Sequence, residues 1–283
     1  MHIVVCIKQV PDSAQIRVHP VTNTIMRQGV PTIINPYDLF ALEEALRVRD
    51  RFGGKVTVLT MGPPMAEDSL RKALGYGVDA AVLLTDRAFA GSDTLATSFA
   101  LATAIEKLHQ EDPVHIVFTG KQTIDGDTAQ VGPGIAQRLK LQQLTYVSAI
   151  RDVDSAGKSI TVERRAEGGT QVLKTTLPCL ITMLEGTNTL RRGSMDDVFR
   201  AVRSEVRTWS ARDAGVEDIT KCGLRGSPTV VKKVFAPQPR MEKAQQIDAL
   251  GKSPAEIADE TINMLFTASN QLGDDILKLT EAI

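Results

Sequence analysis

Cysteine is scarce in this 283-residue chain: Cys6, Cys179 and Cys222 are far apart, with no CxxC pair and no Cys/His cluster. That pattern argues against a disulfide framework and a zinc site, and leaves three reduced thiols packed as small hydrophobes. Histidine is equally sparse, and His2, His19, His109 and His115 show no metal-ligand spacing. Net charge is almost absent, with 33 Lys+Arg against 34 Asp+Glu. No global field therefore recruits nucleic acid or an anionic membrane. There is no apolar run of the ~20 residues that a membrane span needs, and Met1-His2 opens onto a short apolar run with no basic leader. The expectation is a soluble, cytoplasmic protein of a reducing compartment, without membrane insertion. Catalytic signatures are missing too. No GxGxxG follows the first apolar run, and no GxxxxGK[ST], GxSxG or HExxH occurs, which removes the main support for dehydrogenase, NTPase, serine hydrolase and zinc protease readings.

What is present is a regular alternation. Short β-branched runs at 2–10, 55–62, 79–86 and 114–120 alternate with longer periodic segments at 37–53, 65–77, 92–110 and 127–140. Strands that read as continuous apolar runs are buried on both faces, with helices as crossovers. The expected fold is α/β, a doubly wound, mostly parallel sheet. In the first helix Leu39, Leu42, Leu46 and then Arg49 or Val48 fall at roughly 3–4-residue spacing, leaving Glu43, Glu44, Arg47 and Asp50 for the wet face. Runs at 144–150, 159–166, 170–176 and 179–184 follow, the first three joined at hairpin lengths, and read as an antiparallel extension. The resulting division is a nucleotide-binding α/β domain over 1–203, including strands 144–184, and a C-terminal arm plus helix over 204–283 that docks on a partner. Ser253-Pro254 with Glu256 marks the start of that helix.

In such a sheet, ligands bind beyond the carboxyl ends of the strands. The loops there are 8–12, 60–64, 85–94 and 120–134, rich in glycine, Ser/Thr and Asp, with helix starts near Thr94 and Thr128 that favour phosphate. An adenine nucleotide or dinucleotide fits this composition; ordinary turn and N-cap chemistry would account for any one loop alone. A nucleotide site without a nucleophile, general base or metal suits a redox cofactor, which carries the chemistry itself.

Several stretches are familiar. Residues 6–12 (CIKQVPD), 35–38 (NPYD), 60–63 (TMGP) and above all 120–130 (GKQTIDGDTAQ) resemble the beta (small) subunit of electron transfer flavoproteins, and the likeness runs on through 162–169 (VERRAEGG), 177–183 and the tail. The resemblance implies a heterodimer with an alpha subunit that holds an electron-shuttling FAD. In shuttle members the beta subunit holds AMP. In bifurcating members a second FAD overlaps the AMP position and accepts hydride from NADH; its electrons go to a low-potential ferredoxin or flavodoxin and, through the alpha-subunit FAD, to a quinone oxidoreductase or acyl-CoA dehydrogenase. The stretches 125–133 and 85–94 are similar to the bifurcating, Fix-type branch, whose members feed nitrogen fixation.

By that resemblance the adenylate falls near Cys6, Asn35, Tyr37, Asp38 and Met61. The phosphates fall along Gln122, Thr123, Ile124, Asp125, Gly126, Asp127, Thr128, Ala129 and Gln130, with Val131, Gly132, Pro133 and Gly134 opening the next helix. Ala90, Gly91, Ser92, Asp93 and Thr94 take the flavin side. No side chain is expected to act as acid or base. Where shuttle members carry a Leu-Pro docking anchor, this chain has Arg191, Arg192 and then Met195 followed by Asp196 and Asp197, so Arg191, Arg192 and Met195 are the candidate partner-docking residues. A solvated basic turn is the plain alternative for the two arginines.

Overall fold

The computed structural model describes residues 1–12, 31–154, 156, 158–229 and 246–268, with the backbone of 17–18 and 25–26. The chain divides into two compact units, Met1–Ala236 and Pro237–Ile283. In the first, the strands are β1 His2–Cys6, β2 Gln9–Pro11, β3 Arg17–Val18, β4 Ile25–Met26, β5 Thr32–Ile34, β6 Lys55–Met61, β7 Ala80–Leu84, β8 Val114–Gly120, β9 Gln142–Asp154, β10 Ser159–Ala166, β11 Gly169–Thr176, β12 Cys179–Met183 and β13 Val206–Trp209. Its helices are α1 Pro36–Phe52, α2 Glu67–Gly75, α3 Thr94–Glu111, α4 Val131–Leu139 and α5 Met195–Arg203.

Nine strands form one sheet in the order β11-β10-β9-β12-β8-β1-β6-β7-β13. From β9 to β13 all neighbours run parallel, while β9, β10 and β11 form an antiparallel edge. The doubly wound fold with an antiparallel extension is thus the one expected. Three details differ. Strand β12 is parallel to both β8 and β9, because its fully buried CLITM run belongs between covered faces and not on a wet edge. The sheet also continues past residue 203, since β13 pairs with β7. Third, the 2–10 run splits, with β1 in the main sheet and β2 in a separate ribbon with β5.

Alternate side chains of the central strands feed two cores. Ile3, Val5, Ile116 and Phe118 join α1 and α2 on one face; Val4, Cys6 and Val117 join α3 and α4 on the other. The expected wet face of α1 is half wrong: Glu43 and Glu44 are buried, because the 188–191 segment lies over them. Chain order places the switch point between β1 and β8. From β1 the chain winds outward through β6 and β7, then α3 carries it back to β8 on the far side of β1.

Around the amino ends of these strands three histidines have ring nitrogens held by hydrogen bonds. His115 Nδ1 accepts from the His2 N–H at 3.1 Å, His109 Nδ1 accepts from the Val114 N–H at 3.1 Å, and His2 sits between the Asp112 carbonyl and Thr57 Oγ1. Burial holds His2 and His115 below the ordinary histidine range. A depressed base releases its proton on folding, so this contribution is whole above pH ~6.5 and is lost as pH falls through the folded values. Each unit of depression corresponds to about 1.4 kcal/mol. His115→Asn keeps an acceptor for the His2 N–H without a titrating ring. Between pH 7.5 and 5.5 the wild type should lose urea stability relative to this variant; a pH-independent difference would contradict the assignment.

In the second unit, α6 Pro254–Ala268 opens with the expected box: the Glu256 carboxylate accepts from the Ser253 N–H and Oγ–H, both at 2.8 Å. Ile262, Leu265 and Phe266 are exposed along it. The rest of the expected C-terminal helix, 269–283, lies outside the described residues. Among the described residues no helix is long and apolar enough to cross a membrane.

Candidate functional site

The switch point is built by the start of α1. Pro36 takes the first helical position, where a missing N–H costs nothing, and Asn35 precedes it. The Asn35 side chain does not cap the helix. It donates from Nδ2 to the Gln122 carbonyl at 2.8 Å and accepts the Ile124 N–H on Oδ1 at 3.1 Å, fully buried. Three residues on, the Asp38 carboxylate accepts the Lys8 N–H at 2.8 Å and the Gly120 N–H at 3.2 Å. These two side chains tie together the loops leaving β1 and β8. Burial pushes the Asp38 carboxyl up to about 7, against the pull of hydrogen bonds from Asn35, Lys8 and Gly120. A raised acid keeps its proton on folding, so its contribution is whole below pH ~3.8 and is lost as pH rises towards 7.

Gly120 is required by this junction. A Cβ there would lie 2.5 Å from Asp38 Oδ1 and 2.6 Å from the Tyr37 backbone carbon. Gly120→Ala should cost about 1–3 kcal/mol, read as a lower urea midpoint at unchanged slope; a midpoint equal to wild type would show that the junction yields freely.

Beyond Ile124 the loop turns outward. Asp125 pairs with Lys8 at 2.8 Å, Gln122 donates to Asp127, and Asp127 and Ala129 take positive φ of 53° and 54°. Left-handed residues in a turn gather backbone N–H groups towards one side, the geometry that holds anions. Helix α4 starts immediately after, and its early turns are set close to their neighbours. A Cβ on Gly132 would lie 2.8 Å from Thr119 Oγ1, and one on Gly134 would lie 2.8 Å from Ser98 of α3. Thr119 Oγ1 is buried without a hydrogen-bond partner. Thr94 Oγ1, at the first residue of α3, bonds Gln130 Oε1 at 2.8 Å, so two helix N-termini face one region.

Not every expected residue points a side chain there. The Cys6 thiol belongs to the core beneath α3 and α4, where burial pushes it up to about 12. Met61 packs against the same core. Ser92 and Asp93 are engaged within the chain: Ser92 Oγ donates to the Phe89 carbonyl at 2.7 Å, and Asp93 caps α3 by accepting from Leu95 and Ala96. Ala90 and Gly91 are exposed. Tyr37 is half-buried, its ring 5.1 Å from the Lys121 ammonium, which also pairs with Glu185 at 3.4 Å. Sequence reasoning assigned no role to Lys8, Lys121 or Thr119; the lysines stand inside the quoted motifs, yet only the fold shows which group each one reaches.

The docking candidates separate. Arg191 is a clamp, bonded to Glu43 at 3.0 Å and to Asp50 at 2.5 Å; burial pushes the Glu43 carboxyl up, but Arg191 and Arg47 outweigh it and hold the group below its ordinary range. Arg192 is exposed, and Met195, 67% exposed, begins α5. Val198, Phe199 and Val202 continue its apolar stripe at helical spacing, 44%, 55% and 75% exposed. Among the described residues no cluster of His, Cys, Asp or Glu could hold a metal ion.

The chain matches the family model described as electron transfer flavoprotein domain over residues 22–214. It is 73% identical over 267 residues to Protein FixA of Sinorhizobium fredii, covering 94% of each chain, and 71% identical over 280 residues to Protein FixA of Azorhizobium caulinodans, covering 99% of each. It is also 50% identical to the electron transfer flavoprotein subunit beta of Clostridium acetobutylicum over 233 residues, 82% of this chain and 87% of that one.

Proposed function

The chain belongs to the electron transfer flavoprotein family as a Fix-type beta subunit, and from that premise we propose that it works as a heterodimer with an alpha subunit and holds an FAD at its switch-point site. Bound there, the flavin would accept hydride from NADH and release electrons singly, one to a low-potential ferredoxin or flavodoxin, the other by way of the alpha-subunit FAD to a quinone oxidoreductase or acyl-CoA dehydrogenase.

The observation that carries this reading is the N-terminus of α4, which no side chain caps, beside a loop with left-handed Asp127 and Ala129 and tied to α3 through Thr94 and Gln130. Such a frame suits a pyrophosphate, and Gly132 lets α4 start close against the sheet, where a Cβ would meet Thr119 and Thr182. The residues fit the group. Backbone N–H groups of 123–130 and the start of α4 would hold the phosphates, and Tyr37 with the backbone around 35–38 would border the adenylate. Asn35 and Asp38 would act through the loops they hold. The chain's work is binding and orientation, with no side chain required as acid or base.

The stripe Met195, Val198, Phe199 and Val202 is the docking face we assign to the high-potential acceptor, a quinone oxidoreductase by preference, with Arg192 at its edge. The exposed apolar residues of α6 suit the alpha subunit. Relatives named FixA support a role in nitrogen fixation. The alternative is a shuttle subunit with AMP in the same place. What favours it is the engagement of Ser92 and Asp93 within the chain, which leaves few free groups beyond the phosphate loop. Anaerobic NADH titration of the co-expressed heterodimer separates the two: rapid bleaching with ferredoxin or flavodoxin reduced supports bifurcation, and a flavin silent to NADH supports the shuttle.

A further inference from the structure

The loop that leads into α3 is held in place by a strap much later in the chain. A short 3-10 turn, Ile219–Lys221, is followed by residues 222–229, which lie along 88–93. Ser227 is at the centre. It is 7% exposed; its Oγ accepts the Asp93 N–H at 2.8 Å and donates to the Gly223 carbonyl at 2.7 Å. The Gly223 N–H reaches Ser92 Oγ at 3.1 Å, and the Thr229 N–H reaches Asp93 Oδ2 at 3.1 Å. Two glycines allow the close approach. Gly91 has φ +73°, and a Cβ there would lie 2.6 Å from Leu224 Cγ; on Gly223, at φ +57°, it would lie 2.3 Å from the Ala88 carbonyl oxygen.

We propose that this strap, through Ser227, is the positioning device that makes the site selective for a dinucleotide over a mononucleotide. The inference rests on the nucleotide reading above and deepens it. The strap bonds only to the α3 side of the site, while the 120–124 stretch is held separately by Asn35 and Asp38. A mononucleotide bound at the α4 side therefore leaves the strap unused. The chemistry at the α3 side is also distinct: the Asp93 carboxylate stands at the helix N-terminus, where it repels a further phosphate but can accept hydroxyls. Its partner is thus the uncharged half of the ligand, a polyol-linked ring. Ser227 acts through Asp93 and Ser92 and touches no ligand itself.

The test uses the heterodimer, freed of nucleotide and incubated with equimolar FAD and AMP, as wild type, Ser227→Ala and Leu224→Ala. Acid-released FAD and AMP are counted, and thermal melting is followed in parallel. Removing the buried hydroxyl should lower beta-site FAD relative to AMP by about tenfold, the worth of roughly one hydrogen bond. A merely structural serine would lower both nucleotides together, or the melting temperature alone, and an unchanged FAD:AMP ratio in both variants overturns the proposal. Should Ser227→Ala fail to assemble, Leu224→Ala, which opens the strap without leaving a buried polar group unpaired, carries the test. A wild-type heterodimer that loads AMP but never FAD at this site overturns the nucleotide reading itself, a result distinct from an unchanged ratio.

Discussion

Asn35→Ala should empty the switch-point site while leaving the sheet folded. The side chain is fully buried and makes two bonds to one loop, to the Gln122 carbonyl and the Ile124 N–H. Alanine leaves both backbone groups without their partner, at about 1–3 kcal/mol each if they stay buried. The cheaper response is for residues 122–124 to move outward to water, and that movement dismantles the cradle. Nucleotide affinity should fall on the order of 100-fold, equivalent to about 2.7 kcal/mol. Asn35→Asp keeps the acceptor for Ile124 but loses the donor to Gln122, and should fall between. Nucleotide content after gel filtration, read beside the urea midpoint, checks this. Full occupancy in Asn35→Ala would mean that the loop holds its shape unaided.

The second large effect is expected at α5. Phe199→Asp with Val202→Asp places two charges on a face that is already solvent-exposed, so folding should change by no more than about 0.5 kcal/mol per site. Docking should suffer far more. If the stripe anchors an acceptor protein, charged residues at its centre should cost at least about 2 kcal/mol each, enough to cut electron delivery to a quinone oxidoreductase more than 100-fold. NADH reduction and bound nucleotide should remain as in wild type. Arg191→Ala makes the contrast: it removes ion pairs to Glu43 and Asp50 and should lower stability with little change in docking. Unimpaired delivery by the double variant would assign the stripe to another use.

The parallel sheet was legible because β1, β6, β7 and β8 are five to seven residues long and mostly apolar or β-branched, with no strict alternation, a pattern that suits strands covered on both faces. Strand β13 was not, since four residues with a charge and a threonine carry no such signal until β7 offers them an edge. The acids of α1 were misread for a related reason. Periodicity shows which side of a helix is polar, but not that a loop 148 residues away brings an arginine to cover it.

At the site, glycine spacing and the 120–130 motif marked the loop, and family likeness assigned its residues. What could not be read was whether a polar side chain serves a ligand or the fold. Asn35, Asp38, Ser92 and Asp93 each look like ligand contacts in sequence, yet each is bonded to a backbone group of its own chain. Those partners are as distant as Gly223 and Thr229. The exposed stripe of α5 was half legible: Met195 was marked by the resemblance, at the place of the shuttle members' docking anchor, and Phe199 and Val202 needed the helix to align them.

The central claim is that the switch-point cradle holds a flavin dinucleotide, and it is tested most directly by co-expressing this chain with its alpha subunit, releasing bound nucleotides with acid and counting them. Two FAD and no AMP per heterodimer is the predicted result. One FAD with one AMP would contradict it and make the chain a shuttle subunit whose 120–134 loop clamps a structural nucleotide.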